Sequence, residues 1–180
     1  AGFLIILRKI IYTGCDFMNS DEYKKLIKSR MSDYRYTHSV NVSKEAVRLA
    51  KKYGADTEKA AVAGILHDIT KETPKEEQLQ IMTDGGIILD NVQEKSTKLW
   101  HGISGSVYIR DILKITDEDI LNAVRYHTTG RAGMSRLEEC VYLADLISED
   151  RTYKDVGRMR RLAFEDINGA MLEAARFTLS

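Results

Sequence analysis

Four histidines occur in this 180-residue chain, His38, His67, His101 and His127. Three of them extend apolar stripes at helical spacing. His38 lies one turn before Val42 on a stripe that runs to Leu49, His67 continues Ala60 and Ala63, and His127 extends Ile120 and Val124. Two aspartates behave alike. Asp68 continues Ala61 and Gly64, and Asp145 continues Leu137 and Val141. A carboxylate on an apolar face is costly unless it is paired or bound to a cation, and no basic residue stands nearby on the same faces. Imidazoles entering the same interior would supply nitrogen ligands. A mixed nitrogen–oxygen shell suits Fe, Mn, Co, Ni or Zn better than Ca. The chemistry suggested is a metal ion held between helices. The competing reading makes each imidazole a hydrogen-bonded core group and each aspartate a solvated helix end. The wide chain separations between these residues carry no local chelation geometry, so periodicity alone leaves both readings open.

Helices must position these groups. The spacing predicts helices over 20–30, over 34–53 with Gly54 as the stop, and over 56–69 behind an Asp56 cap. The third is apolar almost all round from Ala60 to Leu66, so it is expected at the centre. Thr73-Pro74 opens a short helix to Met82 with Pro in its first position, and 83–100 reads as irregular around Gly85-Gly86. A helix follows Trp100-His101. Thr116 with Asp119 and Ser135 with Glu138 read as capping boxes for helices ending near His127 and Ile147. One last helix is expected over 153–176. With no strand pattern and no repeat, the expectation is an all-α, single-domain protein.

Composition narrows the function. The chain is 43% hydrophobic, enough for a real core. Its 27 basic and 27 acidic residues cancel, which argues against charge-driven binding to duplex nucleic acid but leaves room for a local basic pocket. Cys15 and Cys140 are too few for a disulfide framework or a cysteine-based zinc module, which fits a reducing, cytoplasmic setting. The apolar run Phe3–Leu7 is broken by Arg8 and Lys9, so no membrane span and no secretory signal is expected. Residues 1–17 read as an N-terminal extension, with a non-native segment or a misassigned upstream start among the readings. Met18 looks like an ordinary start, which makes 18–180 the domain.

The contexts of the polar residues go further. They are Tyr36-Thr37-His38-Ser39-Val40, Ala63-Gly64-Ile65-Leu66-His67-Asp68-Ile69-Thr70-Lys71, His101-Gly102, Arg125-Tyr126-His127-Thr128-Thr129-Gly130-Arg131 and Tyr142-Leu143-Ala144-Asp145. In this order they resemble the HD-domain superfamily of metal-dependent phosphohydrolases and, within it, the YqeK family, over about residues 20–176. The resemblance implies an HD-domain helical bundle that splits diadenosine tetraphosphate symmetrically into two ADP. It implies metal ligands His38, His67, Asp68 and Asp145, with Fe the first candidate and Mn, Co, Ni or Zn the alternatives. Asp68, Lys71 and His127 are then the catalytic candidates, with His127 a proton donor to the leaving group. Arg35, Lys71, His101, His127, Thr128, Arg131 and Arg151 are the substrate-binding candidates. A second metal on His101 and His127 is the alternative use of that pair. Tyr34, Trp100, Tyr108 and Tyr126 are either base-stacking or packing residues. The implied partner is a small nucleotide substrate, and a homodimer is compatible with it. Two other readings stand beside this one: another nucleotide phosphohydrolase, acting for instance on mononucleotides, and a silent nucleotide-binding module. The intact ligand set speaks against the second. Ser148-Glu149-Asp150-Arg151 stands where a Glu-Pro-Asn-Arg stretch is expected, and Ala132 stands where Pro is common. Both changes are expected to loosen a phosphate-binding loop.

Overall fold

A computed structural model of the chain describes residues 20–179, so the extension over 1–17 lies outside the described residues. Among these residues there are ten α-helices and no strand, in agreement with the all-α reading. They are α1 (Ser20–Lys28), α2 (Asp33–Tyr53), α3 (Thr57–Leu66), α4 (Lys75–Asp84), α5 (Asn91–Lys95), α6 (Trp100–Asp111), α7 (Glu118–Tyr126), α8 (Arg136–Ile147), α9 (Val156–Glu165) and α10 (Ile167–Leu179). A 3-10 turn, Thr97–Leu99, leads into α6. No helix among them is long and apolar enough to cross a membrane.

The centre of the bundle is α3, as its all-round apolarity predicts. Asp56 caps it by accepting from the Glu58 and Lys59 amides, and Ala60, Val62, Ala63, Ile65 and Leu66 are all buried. It packs against α2, α7, α8 and α1. Gly64 sets the α2–α3 spacing: a Cβ there would lie 2.7 Å from Cα of Ser43. Gly102 plays the same part between α6 and α7, where a Cβ would lie 2.8 Å from the Arg125 carbonyl oxygen. Gly64→Ala must therefore push two backbones apart. Overpacking of this kind costs about 1–3 kcal/mol, or about 2–12 °C of melting temperature in a chain of this size. Thermal unfolding followed by circular dichroism measures it.

Several local readings are corrected. The third helix stops at Leu66, not near residue 69. From His67 onward the chain turns tightly, with Ile69 N–H donating to Leu66 and Lys71 N–H to Asp68. The Thr70 hydroxyl anchors this turn on the His101 carbonyl, 2.9 Å away. The departure has a purpose. On a regular helix, adjacent side chains do not face each other, whereas the turn lets both His67 and Asp68 face one interior. Lys75, not Pro74, is the first residue of α4, with Pro74 as its cap. Asp117, not Thr116, caps α7, and Lys59 holds that aspartate at 2.8 Å. The irregular stretch contains α5, opened by an Asp90–Gln93 capping box. The single helix expected over 153–176 is two, broken at Asp166, whose backbone is extended (φ −147°, ψ 98°). The stripe Met159, Ala163, Ile167, Ala170 and Ala174 is buried on both sides of the break, which is why periodicity did not reveal it.

Candidate metal centre

All four imidazoles are buried and form one row. Ring centroids are 5.3 Å apart between His38 and His67, 4.9 Å between His67 and His127, and 5.0 Å between His127 and His101. Helix α2 carries His38 in its body. His67 and His127 follow the last residues of α3 and α7, and His101 opens α6. Their Nδ1 atoms are tied back. His67 Nδ1 is 2.8 Å from the Gly64 carbonyl oxygen, His127 Nδ1 is 2.6 Å from that of Val124, and His101 Nδ1 is 2.8 Å from that of Lys98. A carbonyl only accepts, so each Nδ1 donates and each Nε2 is left with its lone pair.

Asp68 sits in the middle, 3% exposed. Its Oδ2 accepts from Arg35 Nη1 at 2.6 Å and lies 3.4 Å from His67 Nε2. Its Oδ1 lies 3.4 Å from His101 Nε2 and 3.5 Å from His127 Nε2. Asp145 on α8 places Oδ1 2.9 Å from His38 Nε2, and Arg151 donates to the same oxygen. Burial opposes ionisation of both carboxyls. The imidazoles of His67 and His127 around Asp68, and of His38 and His67 with the Arg151 guanidinium around Asp145, outweigh it and hold both well below the usual carboxylate range. The four expected ligands fall in two overlapping groups that share His67, and the second group also takes in His127. His38, His67 and Asp145 bring three donor atoms within 4.8 Å of one another, and so do His67, Asp68 and His127.

Two of these atoms are orphans. His67 Nε2 and Asp68 Oδ1 are buried without a hydrogen-bond partner among the described residues. An unsatisfied buried polar atom costs about 1–3 kcal/mol. A lone-pair nitrogen and a carboxylate oxygen left open on adjacent buried residues fit a divalent cation, which both would coordinate.

Residues 35–150 match the HD domain family. The chain belongs to that family. It is 38% identical to a "Bis(5'-nucleosyl)-tetraphosphatase, symmetrical" of Bacillus subtilis, over 90% of this chain and 87% of that protein. It is 36% identical to a protein of the same name from Halalkalibacterium halodurans, over 91% and 87%. The crystal structure of a "predicted HD superfamily hydrolase involved in NAD metabolism" from Clostridium acetobutylicum superposes with a TM-score of 0.87 at 38% identity, covering 91% of this chain and 87% of that one.

Around the centre of this HD domain, cationic side chains gather. Besides Arg35 on Asp68 and Arg151 on Asp145, Lys71 is half-buried with Nζ 3.1 Å from His101 Nε2, and burial lowers its pKa. Burial, then His127, pushes His101 down to about 3, so its ring is neutral. Thr128 Oγ1 lies 3.2 Å from the same Nε2. Tyr34 is exposed beside Arg35, whereas Trp100 is buried and donates to the Gln93 carbonyl.

Arg131 is placed differently. Its guanidinium grips the buried Glu138 carboxylate with two 2.7 Å bonds and lies over Tyr126, and none of these contacts reaches the imidazoles. It anchors the Thr128–Gly130 loop to the start of α8. Arg131→Ala is expected to lower the melting temperature and raise KM together, and an unchanged KM would remove this loop from the substrate path.

The segment after α8, which lacks the proline, is tied to α9. Arg160 donates to the carbonyls of Ile147 at 2.9 Å, Ser148 at 2.7 Å and Arg151 at 3.0 Å. Sequence reasoning passed over two residues here. Asp150 Oδ2 lies 2.7 Å from His38 Nδ1, and Arg160 fixes the segment that carries it. A carboxylate five residues beyond Asp145 in a loop looks like any solvated acid, so nothing in the spacing marked it.

Proposed function

We infer that this HD domain is a metal-dependent hydrolase that cleaves diadenosine tetraphosphate, and related dinucleoside polyphosphates, symmetrically into two nucleoside diphosphates. The observation that carries the reading is that His67 Nε2 and Asp68 Oδ1, on adjacent residues, are both left open at the heart of a cluster in a chain similar along most of its length to proteins named for that activity. His38, His67, Asp68 and Asp145 would hold the cation. Fe is the metal proposed, with Mn, Co, Ni and Zn as the alternatives. When bound, such a cation supplies Lewis acidity, polarising phosphate oxygens and lowering the pKa of water.

The chain's own residues do the rest. A tetraphosphate carries several negative charges, and Arg35, Lys71 and Arg151 form a cationic rim that would bind and orient it with no net charge on the protein as a whole. Arg35 and Arg151 are already engaged by Asp68 and Asp145, so they arrive fixed in direction and lose little freedom when a phosphate docks. Neutral His101 has its Nδ1–H committed to Lys98, so its Nε2 accepts; it would hold the Lys71 ammonium, leaving that ammonium's other N–H groups and the Thr128 hydroxyl for phosphate oxygens. His127 would act as a proton donor in its doubly protonated form, with Nδ1–H still on Val124 and the added Nε2–H beside Asp68, within reach of a departing diphosphate oxygen. A second cation held by His101 and His127 is the competing use of those nitrogens, and the metal-to-protein ratio separates the two. We assign the activity to residues 18–180, so a chain starting at Met18 should retain turnover.

The test is a product assay. The Fe(II)-loaded protein and diadenosine tetraphosphate should yield two ADP and no ATP. AMP with ATP would overturn the symmetrical reading, and phosphate release from a mononucleotide with no cleavage of the tetraphosphate would replace it with a mononucleotide phosphohydrolase.

A further inference from the structure

The three imidazoles at helix ends solve their tautomer problem locally. His67, His101 and His127 each donate Nδ1–H to the carbonyl three residues back, a carbonyl that the end of a helix or a 3-10 turn leaves available. His38 has no such option. It stands within α2, where the carbonyl of Arg35 sits in the helical ladder and cannot fold back toward the ring. Its ring is nonetheless turned the same way, with Nε2 toward Asp145 and the interior. The group that meets its Nδ1 comes from 112 residues further along the chain, Asp150.

The placement of Asp150 is built from both sides. Its Oδ2 takes His38 Nδ1 at 2.7 Å, and its Oδ1 accepts from Asn41 Nδ2 at 3.2 Å, so the carboxylate spans the turn of α2 that follows His38. Behind it, the Arg160 guanidinium binds the carbonyls on either side. We propose that Asp150 is a positioning residue of the metal centre: by accepting Nδ1–H it fixes His38 with Nε2 open to the cation, the part that backbone carbonyls play for the other three histidines. A carboxylate behind a ligating imidazole also makes that imidazole a stronger donor. This rests on the metal reading of the site.

The test uses the full chain, freed of metal and titrated with Co(II) against a competing fluorescent chelator. Loss of such an outer partner lowers metal affinity by about 10–100-fold, and that is the expected change for Asp150→Ala. Asp150→Asn keeps an oxygen that accepts Nδ1–H and should lie within about tenfold of the parent. The metal-free melting temperature of the Asn variant should equal the parent's. Nitrogen-15 spectra of the metal-free parent should show the His38 proton on Nδ1. An Ala variant that binds Co(II) as the parent does, an Asn variant no tighter than Ala, or a parent His38 with its proton on Nε2 alone overturns the inference. The last readout needs no variant, so a misfolded Ala protein leaves it decidable. A parent that binds no Co(II) takes the metal reading down with it, whereas a parent that binds Co(II) beside an unaffected Ala variant overturns this inference alone.

Discussion

Asp68→Asn is expected to abolish hydrolysis while the chain still folds. Asp68 faces one arginine and three of the imidazoles: Arg35 through Oδ2 at 2.6 Å, His67 at 3.4 Å, and His101 and His127 through Oδ1 at 3.4 and 3.5 Å. The amide keeps the shape and removes the charge. Three things fail together: the anionic ligand, the counter-charge that orients Arg35, and the acceptor that faces His127. Lewis-acid catalysis is worth several kcal/mol of transition-state stabilisation, and at about 1.4 kcal/mol per decade this corresponds to a loss of about 10³-fold or more in kcat. A steady-state assay on diadenosine tetraphosphate checks it, with circular dichroism to verify that the helices persist. Turnover within tenfold of the parent would show that the chemistry lies elsewhere.

The second large effect is on stability. The cluster gathers lone-pair nitrogens and ionised oxygens that the unfolded chain cannot assemble, so a cation that binds only the native state stabilises it by mass action. At a free concentration about a thousand times Kd the gain is about 4 kcal/mol, which corresponds to about 8–16 °C of melting temperature for a chain of this size. A chelator should reverse the shift, and His67→Ala should remove it, because His67 belongs to both candidate donor sets. Differential scanning calorimetry with and without Mn(II) or Co(II) gives the numbers. A melting point indifferent to every divalent metal tried would leave the two orphaned atoms without their explanation.

Residue type and periodicity marked the candidates for the centre, and the family resemblance grouped them. A histidine or aspartate that continues a stripe of Ala, Val and Leu is a candidate to face inward, but the tight turn that brings both His67 and Asp68 to one interior replaces a helix expected to run to residue 69. What periodicity cannot report is direction within the interior. The resemblance made Arg131 a substrate-binding candidate, and its spacing gave no sign of the tie to Glu138, a glutamate already marked as a capping residue. Periodicity also missed Asp150, because a tether across 112 residues leaves no trace in local spacing. Helix breaks failed for a different reason. Asp166 interrupts the backbone without disturbing the buried stripe on either side, and only its preference for caps and the nearby Gly169 signalled a stop.

The clasp between Ser32 and Glu72 has a bearing on assembly order. Glu72 accepts from both the amide and the hydroxyl of Ser32, at 2.6 and 2.7 Å, so the segment bearing His38 and the turn bearing His67 and Asp68 are registered by residues in the first half of the chain. Asp145 and Asp150 are translated long afterwards. The segment up to Lys75 carries half of the cage with one carboxylate in it, and the His38, His67 and Asp145 set is complete only when α8 docks. Occupancy of that set therefore reports completion of the fold, and a chain truncated before Asp145 should not melt as the metal-bound protein does.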